Sequence, residues 1–332
     1  MPFISAPPIP PKGFADYKFP ARPAGTRWMH SHVGHQEPML LAAPLIVRES
    51  EAIRSGVQEV AILLQDFSWT PPAELFANLR VPKSEGMHMP GMKMPGMKMD
   101  GMKMEGMAKP DLNDVTFDAF LANDRTLADP QVIDVERNGE VRLRVINAGA
   151  STNFTIDLGA LSGTLVAVDG NPVVPLQARQ FPLAMAQRVD ILVRVPAGGG
   201  AVPVLARCEG RTLQTGVLLR PSGAAVSRVA VDNEAPGPVV GMAQERQLRA
   251  RQPLAARRID RSVPVELIGN MSVYSWGMAV HGLSGAPVTV KQGERVELAM
   301  RNTTMMAHPM HLHGHNFQVT EIDGIRLSGA VR

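Results

Sequence analysis

Histidines crowd one short stretch of this chain. His308, His311, His313 and His315 fall within eight residues, although the whole sequence of 332 residues has only nine histidines. Neutral imidazole is the commonest side-chain ligand for copper and zinc. His311 and His313 are two apart, so on a strand they point from one face and can reach neighbouring ions in one cavity. His308 lies beyond Pro309, outside regular strand pairing, and can aim elsewhere. A second cluster, Trp28-Met29-His30-Ser31-His32, repeats the His-x-His spacing.

Sulfur is concentrated too. From Gly86 to Pro110 the sequence repeats every five residues as GMHMP, GMKMP, GMKMD, GMKME and GMAKP. The repeat holds Met87, Met89, Met92, Met94, Met97, Met99, Met102, Met104 and Met107, nine of the twenty methionines. Gly and Pro at this interval disfavour helix and central strand, so the segment reads as an exposed loop that builds no core. Thioether sulfur is a soft ligand that selects Cu(I) over hard cations. Imidazole alone leaves zinc open, and a zinc hydrolase is a competing reading. The methionines tip the balance toward copper, with His88 able to add a nitrogen.

Strands must position these residues. Val141-Arg142-Leu143-Arg144-Val145-Ile146 and Val189-Asp190-Ile191-Leu192-Val193-Arg194-Val195 alternate apolar and polar. Val288–Lys291 reads as a strand turning through Gln292-Gly293 into a second, Arg295–Met300. Turn residues recur at Asn138-Gly139, Asp169-Gly170-Asn171-Pro172 and Gly198-Gly199-Gly200. Short strands with frequent Gly and Pro read as an all-β sandwich, and Pro72–Leu79 is the one modest helical candidate. Pro221–Arg261, rich in Ala, Pro, Gly and Arg, reads as a linker.

Composition narrows the classes. Hydrophobic content of 45% supports real cores, and the length suits two or three domains. Net charge is +3, with no basic block interleaved with aromatics, which argues against nucleic-acid binding. No apolar run approaches the ~18 residues of a membrane-spanning helix. Met1–Pro8 lacks the basic-then-apolar pattern of a signal peptide. Cys208 is the single cysteine, has no flanking histidine, and reads as buried and inert.

Trp28-Met29-His30-Ser31-His32-Val33-Gly34-His35-Gln36, followed by Ala43-Pro44-Leu45-Ile46-Val47, resembles the second copper motif of multicopper oxidases. His308-Pro309-Met310-His311-Leu312-His313-Gly314 resembles the third. The methionine insert, preceded by Asp66-Phe67-Ser68-Trp69, is similar to the bacterial copper-resistance branch, the periplasmic copper oxidases. The resemblance runs over nearly the whole chain. It implies tandem cupredoxin-like Greek-key β-sandwich domains, the first and third incomplete: 1–50 a remnant of domain 1, 51–219 domain 2 with the loop 86–110, 220–261 a linker, and 262–332 the beginning of domain 3.

The same resemblance implies roles. His308 would ligate a type 1 copper, His311 the type 2 copper, and His30, His32 and His313 the paired type 3 coppers. Electrons from Cu(I), or from phenols as in laccases, would then reduce dioxygen to water in the service of copper tolerance. The location it implies is periplasmic. The family's first motif, His-x-His-Gly, does not precede His30, and its fourth, His-Cys-His, does not follow His315. Both ends are therefore expected to be cut short and the type 1 site to lack its thiolate. The alternative is a copper-binding or sequestering protein without turnover, and a further one is a copper-free interaction scaffold. His35 reads as an ordinary polar contact, His315 as support behind the ligands, and Asp66 as able to orient a ligand histidine or water.

Overall fold

The computed structural model describes residues 7–50, 56–81, 112, 114–270, 272–281, 287–312 and 314–332. Gly86–Pro110, with all nine clustered methionines, lies outside the described residues, and so does His313. Contacts divide the chain into two units. One comprises Met1–Pro72, Val115–Ala256 and Pro309–Arg332; the other comprises Ala73–Asp114 and Arg257–His308.

Two sheets make the body of the first unit. The six-stranded sheet has the order β4 (Ala119–Ala122), β3 (Gln58–Phe67), β6 (Glu140–Asn147), β11 (Arg188–Arg194), β8 (Gly163–Val168), β9 (Asn171–Ala178). The five-stranded sheet has the order β10 (Gln180–Leu183), β7 (Phe154–Asp157), β12 (Val202–Cys208), β13 (Gln214–Pro221), β5 (Val132–Val135). Pairing is antiparallel except between β3 and β6 and between β13 and β5. The alternation read from sequence does its work here. Val141, Leu143 and Val145 of β6 and Val189, Ile191 and Val193 of β11 point inward, against Phe154, Ile156, Val204, Ala206 and Val217 of the facing sheet. Cys208 pairs with Phe154 and joins the same core, as expected of a buried thiol.

The outward positions of β6 and β11 are covered as well. A hairpin of β1 (Gly25–His30) and β2 (Ala42–Val47) lies on that face. Trp28, Ala42 and Ile46 pack against Leu63, Ile146 and Ala148. Close approach is possible because Gly25, at φ 135°, has no Cβ; one placed there would sit 2.3 Å from the Gly170 carbonyl oxygen.

The segment read as a linker is tied to this sandwich. Asp232 bridges to Leu213, Gly237 to Glu209 and Ala250 to Val173, with the short helix α2 (Ala243–Gln247) between. Leu248 is fully buried in the core. Arg332 is ion-paired with Asp169 and Glu245, and Ala330 enters the core.

The second unit holds a three-stranded sheet, β15 (Ser275–Val280), β14 (Arg261–Asn270), β16 (Val296–Asn302), together with α1 (Pro72–Leu79), the helix read from sequence. Val263, Val265 and Leu267 of β14 are buried, while most of β16 is exposed. Val288–Lys291, expected as a strand, forms no ladder among the described residues. The Arg261 guanidinium takes its Thr289 carbonyl, and a turn from Lys291 to Glu294 follows at once, so a side chain replaces a ladder partner.

Candidate metal centre

Thr26, Trp28 and His30 share one face of β1, at the strand's period of two. Each meets a different partner on the six-stranded sheet. Thr26 is fully buried; its hydroxyl donates to Asp190 Oδ1 at 2.5 Å and accepts from Arg144 Nη1 at 3.0 Å. Arg144 also donates to Asp190 Oδ2 at 2.8 Å, Glu59 Oε1 at 2.6 Å and Glu49 Oε2 at 2.8 Å. Sequence alternation places Arg144 away from the core, which is correct, but the hairpin seals that face and turns a surface position into a buried charge network. Trp28 fills the apolar patch next along. The His30 ring then stacks on Trp28, with centroids 4.2 Å apart and planes 15° from parallel.

His32 lies against His30, with ring centroids 4.6 Å apart and tilted by 35°. The chain is bent there by a tight turn. Ser31 Oγ donates to Gln36 Oε1 at 2.6 Å and accepts from Val33 N at 3.1 Å, while Leu41 N donates to Gln36 O. Leu40 takes φ 68°, in the left-handed region. The turn brings Glu37 Oε2 to 3.0 Å from His30 Nδ1. Nδ1 is sealed from solvent, and the oxygen stands off the line of a hydrogen bond.

His308 belongs to the second unit. Its Nε2 and Thr304 Oγ1 are 3.0 Å apart, and Trp276 meets the ring edge-on at 4.8 Å. Burial lowers the pKa of His308, which favours the neutral imidazole. The aromatic contacts continue from Trp276 to Tyr274 and from Tyr274 to Phe76 of α1. Tyr274 OH donates to Asp114 Oδ2 at 3.2 Å.

Of the five histidines expected to ligate copper, the structure brings His30 and His32 into contact. His311 is exposed in an irregular segment of the first unit, and His313 is outside the described residues. Among the described residues no three His, Cys, Asp or Glu side chains converge as a metal cage. The pair itself suits copper chemically, since two imidazole rings lie side by side and imidazole nitrogen is a good copper donor. Cys208 does not suit a type 1 site, since it is enclosed in the sandwich core and burial raises its pKa well above the usual thiol range. Asp66 does not orient a histidine. Buried, it accepts from Ala150 N, Ser151 N and Thr152 Oγ1 and so closes the loop after β6.

Glu37, the Arg144 network and the Trp276–Thr304 cradle carry no spacing signal in the sequence. Trp28, two before His30, is the one member that strand periodicity could have assigned. A cavity of about 630 Å³ lined by Gln58, Asp134, Glu136 and Arg220 contains no histidine, and its Arg220–Asp134 fork is already paired.

A paired sandwich, a histidine-bearing hairpin and copper-suited donors define a class of copper-binding β protein. Sequence models described as multicopper oxidase match residues 1–52, 82–217 and 259–326. The chain is 30% identical over 322 residues to Multicopper oxidase MmcO of Mycobacterium tuberculosis, an alignment covering 95% of this chain and 62% of that protein. It is 23% identical to the Copper resistance protein A homolog of Pseudomonas syringae pv. tomato, over 95% of this chain and 71% of that one. Among solved structures, Fet3p, a multicopper oxidase that functions in iron import, superposes with a TM-score of 0.65 at 14% identity, over 90% of this chain and 58% of that chain. The multi-copper oxidase of Pseudomonas thermotolerans superposes with 0.64 at 20% identity, over 99% and 71%. The chain belongs to the multicopper oxidase family, whose fold is built of cupredoxin-like domains and whose cofactor is copper. It spans 62% of the length of its Mycobacterium relative. No helix among the described residues is long and apolar enough to cross a membrane.

Proposed function

We propose that this chain is part of a copper-dependent oxidase that takes electrons from Cu(I), with phenols as a second substrate class, and passes them to dioxygen. The balance is four Cu(I), four protons and one dioxygen giving four Cu(II) and two waters. The observation that carries the reading is the His30–His32 contact, held on the sandwich by Trp28. His30, His32 and His313 are assigned to paired type 3 coppers, His311 to type 2 and His308 to type 1. Bound copper supplies one-electron redox chemistry that no side chain offers.

The chain's own part is positioning. Thr304 engages His308 Nε2, which leaves Nδ1 as the nitrogen to face an ion. The hairpin fixes His30 before any ion arrives, so little ordering remains to be done on binding. Gly86–Met107 is assigned to recruiting Cu(I) through paired thioethers. Residues 51–219 are read as one domain, in keeping with β3 to β13 closing into a single sandwich. The physiological role assigned is copper tolerance in the periplasm.

The test compares Cu(I) and phenol oxidation after deletion of Gly86–Met107 in the full-length enzyme. Cu(I) oxidation should fall more than phenol oxidation, and equal loss sinks the recruiting role. A second reading is copper holding without turnover, in which Cys208, enclosed in the core, offers no thiolate to an ion. Copper-loaded protein that binds the metal at His30 and His32 but consumes no oxygen decides for it.

A further inference from the structure

His30 is the most constrained ring among the candidate ligands. Trp28 stacks on it and His32 leans against it. Its Nδ1 is sealed from solvent, and Glu37 Oε2, 3.0 Å away, is the carboxylate oxygen that reaches it. The side chain keeps 19% of its surface exposed, and with Nδ1 closed off that exposure lies on other atoms of the residue. Nε2 is thus the ring nitrogen left for an approaching ion.

We infer that Glu37 is the positioning residue for His30: its carboxylate holds the ring proton on Nδ1 and so presents the Nε2 lone pair to copper. A neutral imidazole has one proton for two nitrogens, and the partner of one nitrogen decides the state of the other. The carboxylate oxygen lies 3.0 Å from Nδ1 but off the N–H line, so rotation of the ring or of the carboxylate is what completes the bond. Glu37 itself is placed by the turn. Leu40 N donates to Glu37 O at 2.9 Å, Leu41 N holds the preceding carbonyl, and the left-handed Leu40 reverses the chain. The same carboxylate strengthens the imidazole as a donor once an ion is bound. Glu37 is part-exposed, so its influence is directional rather than strongly coulombic. This inference rests on the reading of His30 as a copper ligand.

Two readouts test it without turnover. In metal-free protein labelled with nitrogen-15 in histidine, long-range proton–nitrogen correlation reports each ring's tautomer, and His30→Ala identifies the signal. His30 should carry its proton on Nδ1 in the parent and in Glu37→Gln, whose amide oxygen still accepts. In Glu37→Ala the proton should move to Nε2 or exchange between the two. Cu(I) affinity, measured by competition with a coloured chelator, should drop ~10–100-fold in Glu37→Ala and less in Glu37→Gln. An Nε2 proton on His30 in the parent, or an unchanged tautomer in Glu37→Ala, overturns the inference while leaving the ligand reading intact. If His30→Ala binds copper as tightly as the parent, the ligand reading itself falls and this inference falls with it.

Discussion

The hairpin that carries His30 and the unit that carries His308 solve one problem in different ways. On the hairpin, the strand face bearing the histidine is laid on another sheet, so each residue before His30 is fixed by something buried: Thr26 by Asp190 and Arg144, Trp28 by Leu63 and Ile146. In the second unit, β16 is mostly exposed and Trp276 keeps 41% of its surface open. Among the described residues, His308 is held there by the Thr304 hydroxyl and the edge-on ring of Trp276. Precision at the first site is inherited from a core. Precision at the second is supplied by a few local contacts, which are cheaper to disturb.

Removing the largest buried anchor should separate the two most widely. Arg144→Ala leaves Asp190 buried without its cation and cuts the tie between hairpin and sheet. A loss of ~3–5 kcal/mol is expected in urea unfolding. A loss below about 1 kcal/mol would show the network to be ornamental, and the contrast between the regions would collapse.

Equal truncations on the two sheets give the next test. Leu143→Ala empties a fully buried position and should lose ~2–5 kcal/mol. Leu298→Ala, at a position 38% exposed on β16, should lose less than about 1 kcal/mol. Comparable losses would mean that the second sheet is more tightly packed than its exposure indicates.

The two regions also differ in how much of them the sequence discloses. Strands β6 and β11, the helix Pro72–Leu79 and the turns at Asn138-Gly139 and Asp169-Gly170 follow from local periodicity and turn chemistry, which a single strand or turn carries by itself. Arg144 shows the limit. Alternation assigns it to the outer face but is silent on what covers that face, because the hairpin comes from more than a hundred residues earlier in the chain. Val288–Lys291 fails for the converse reason, since a good strand pattern still needs a neighbour. Glu37 is invisible because it reaches His30 through a turn that depends on one left-handed residue, Leu40. The histidine spacings are legible because each lies within one short stretch of chain. The partners that hold the His30 and His308 rings come from other positions, and no spacing rule points to them.

A smaller perturbation probes the local contacts at His308. Thr304→Val removes the hydroxyl from Nε2 and should cost ~0.5–1.5 kcal/mol. The His308 ring signals should broaden or shift while those of His30 stay fixed. Movement of the His30 signals as well would break the view that each histidine is held by its own surroundings.

The smallest effect concerns Tyr274, which stands at φ 47° and joins Phe76, Trp276 and Asp114. Burial, then the negative charge of Asp114 and its hydrogen bond, push the phenol up from the ordinary 10 to about 12. A raised folded-state value fixes the sign: the contribution to stability is fully present below about 10 and is lost as pH rises through about 12. The half-buried setting screens the charge term, so the consequence for stability is modest. In a Tyr17→Phe background, where Tyr274 is the only phenol, ultraviolet titration of the phenolate should show a midpoint near 12. Asp114→Asn should lower that midpoint part of the way toward 10, because it removes the neighbouring charge but leaves the leading cause, burial, in place. A midpoint of 10 in the parent would mean that the ring is open to water. The aromatic contacts beside His308 would then be too loose to hold a ligand, and the hairpin would be left as the only site whose geometry is built in advance.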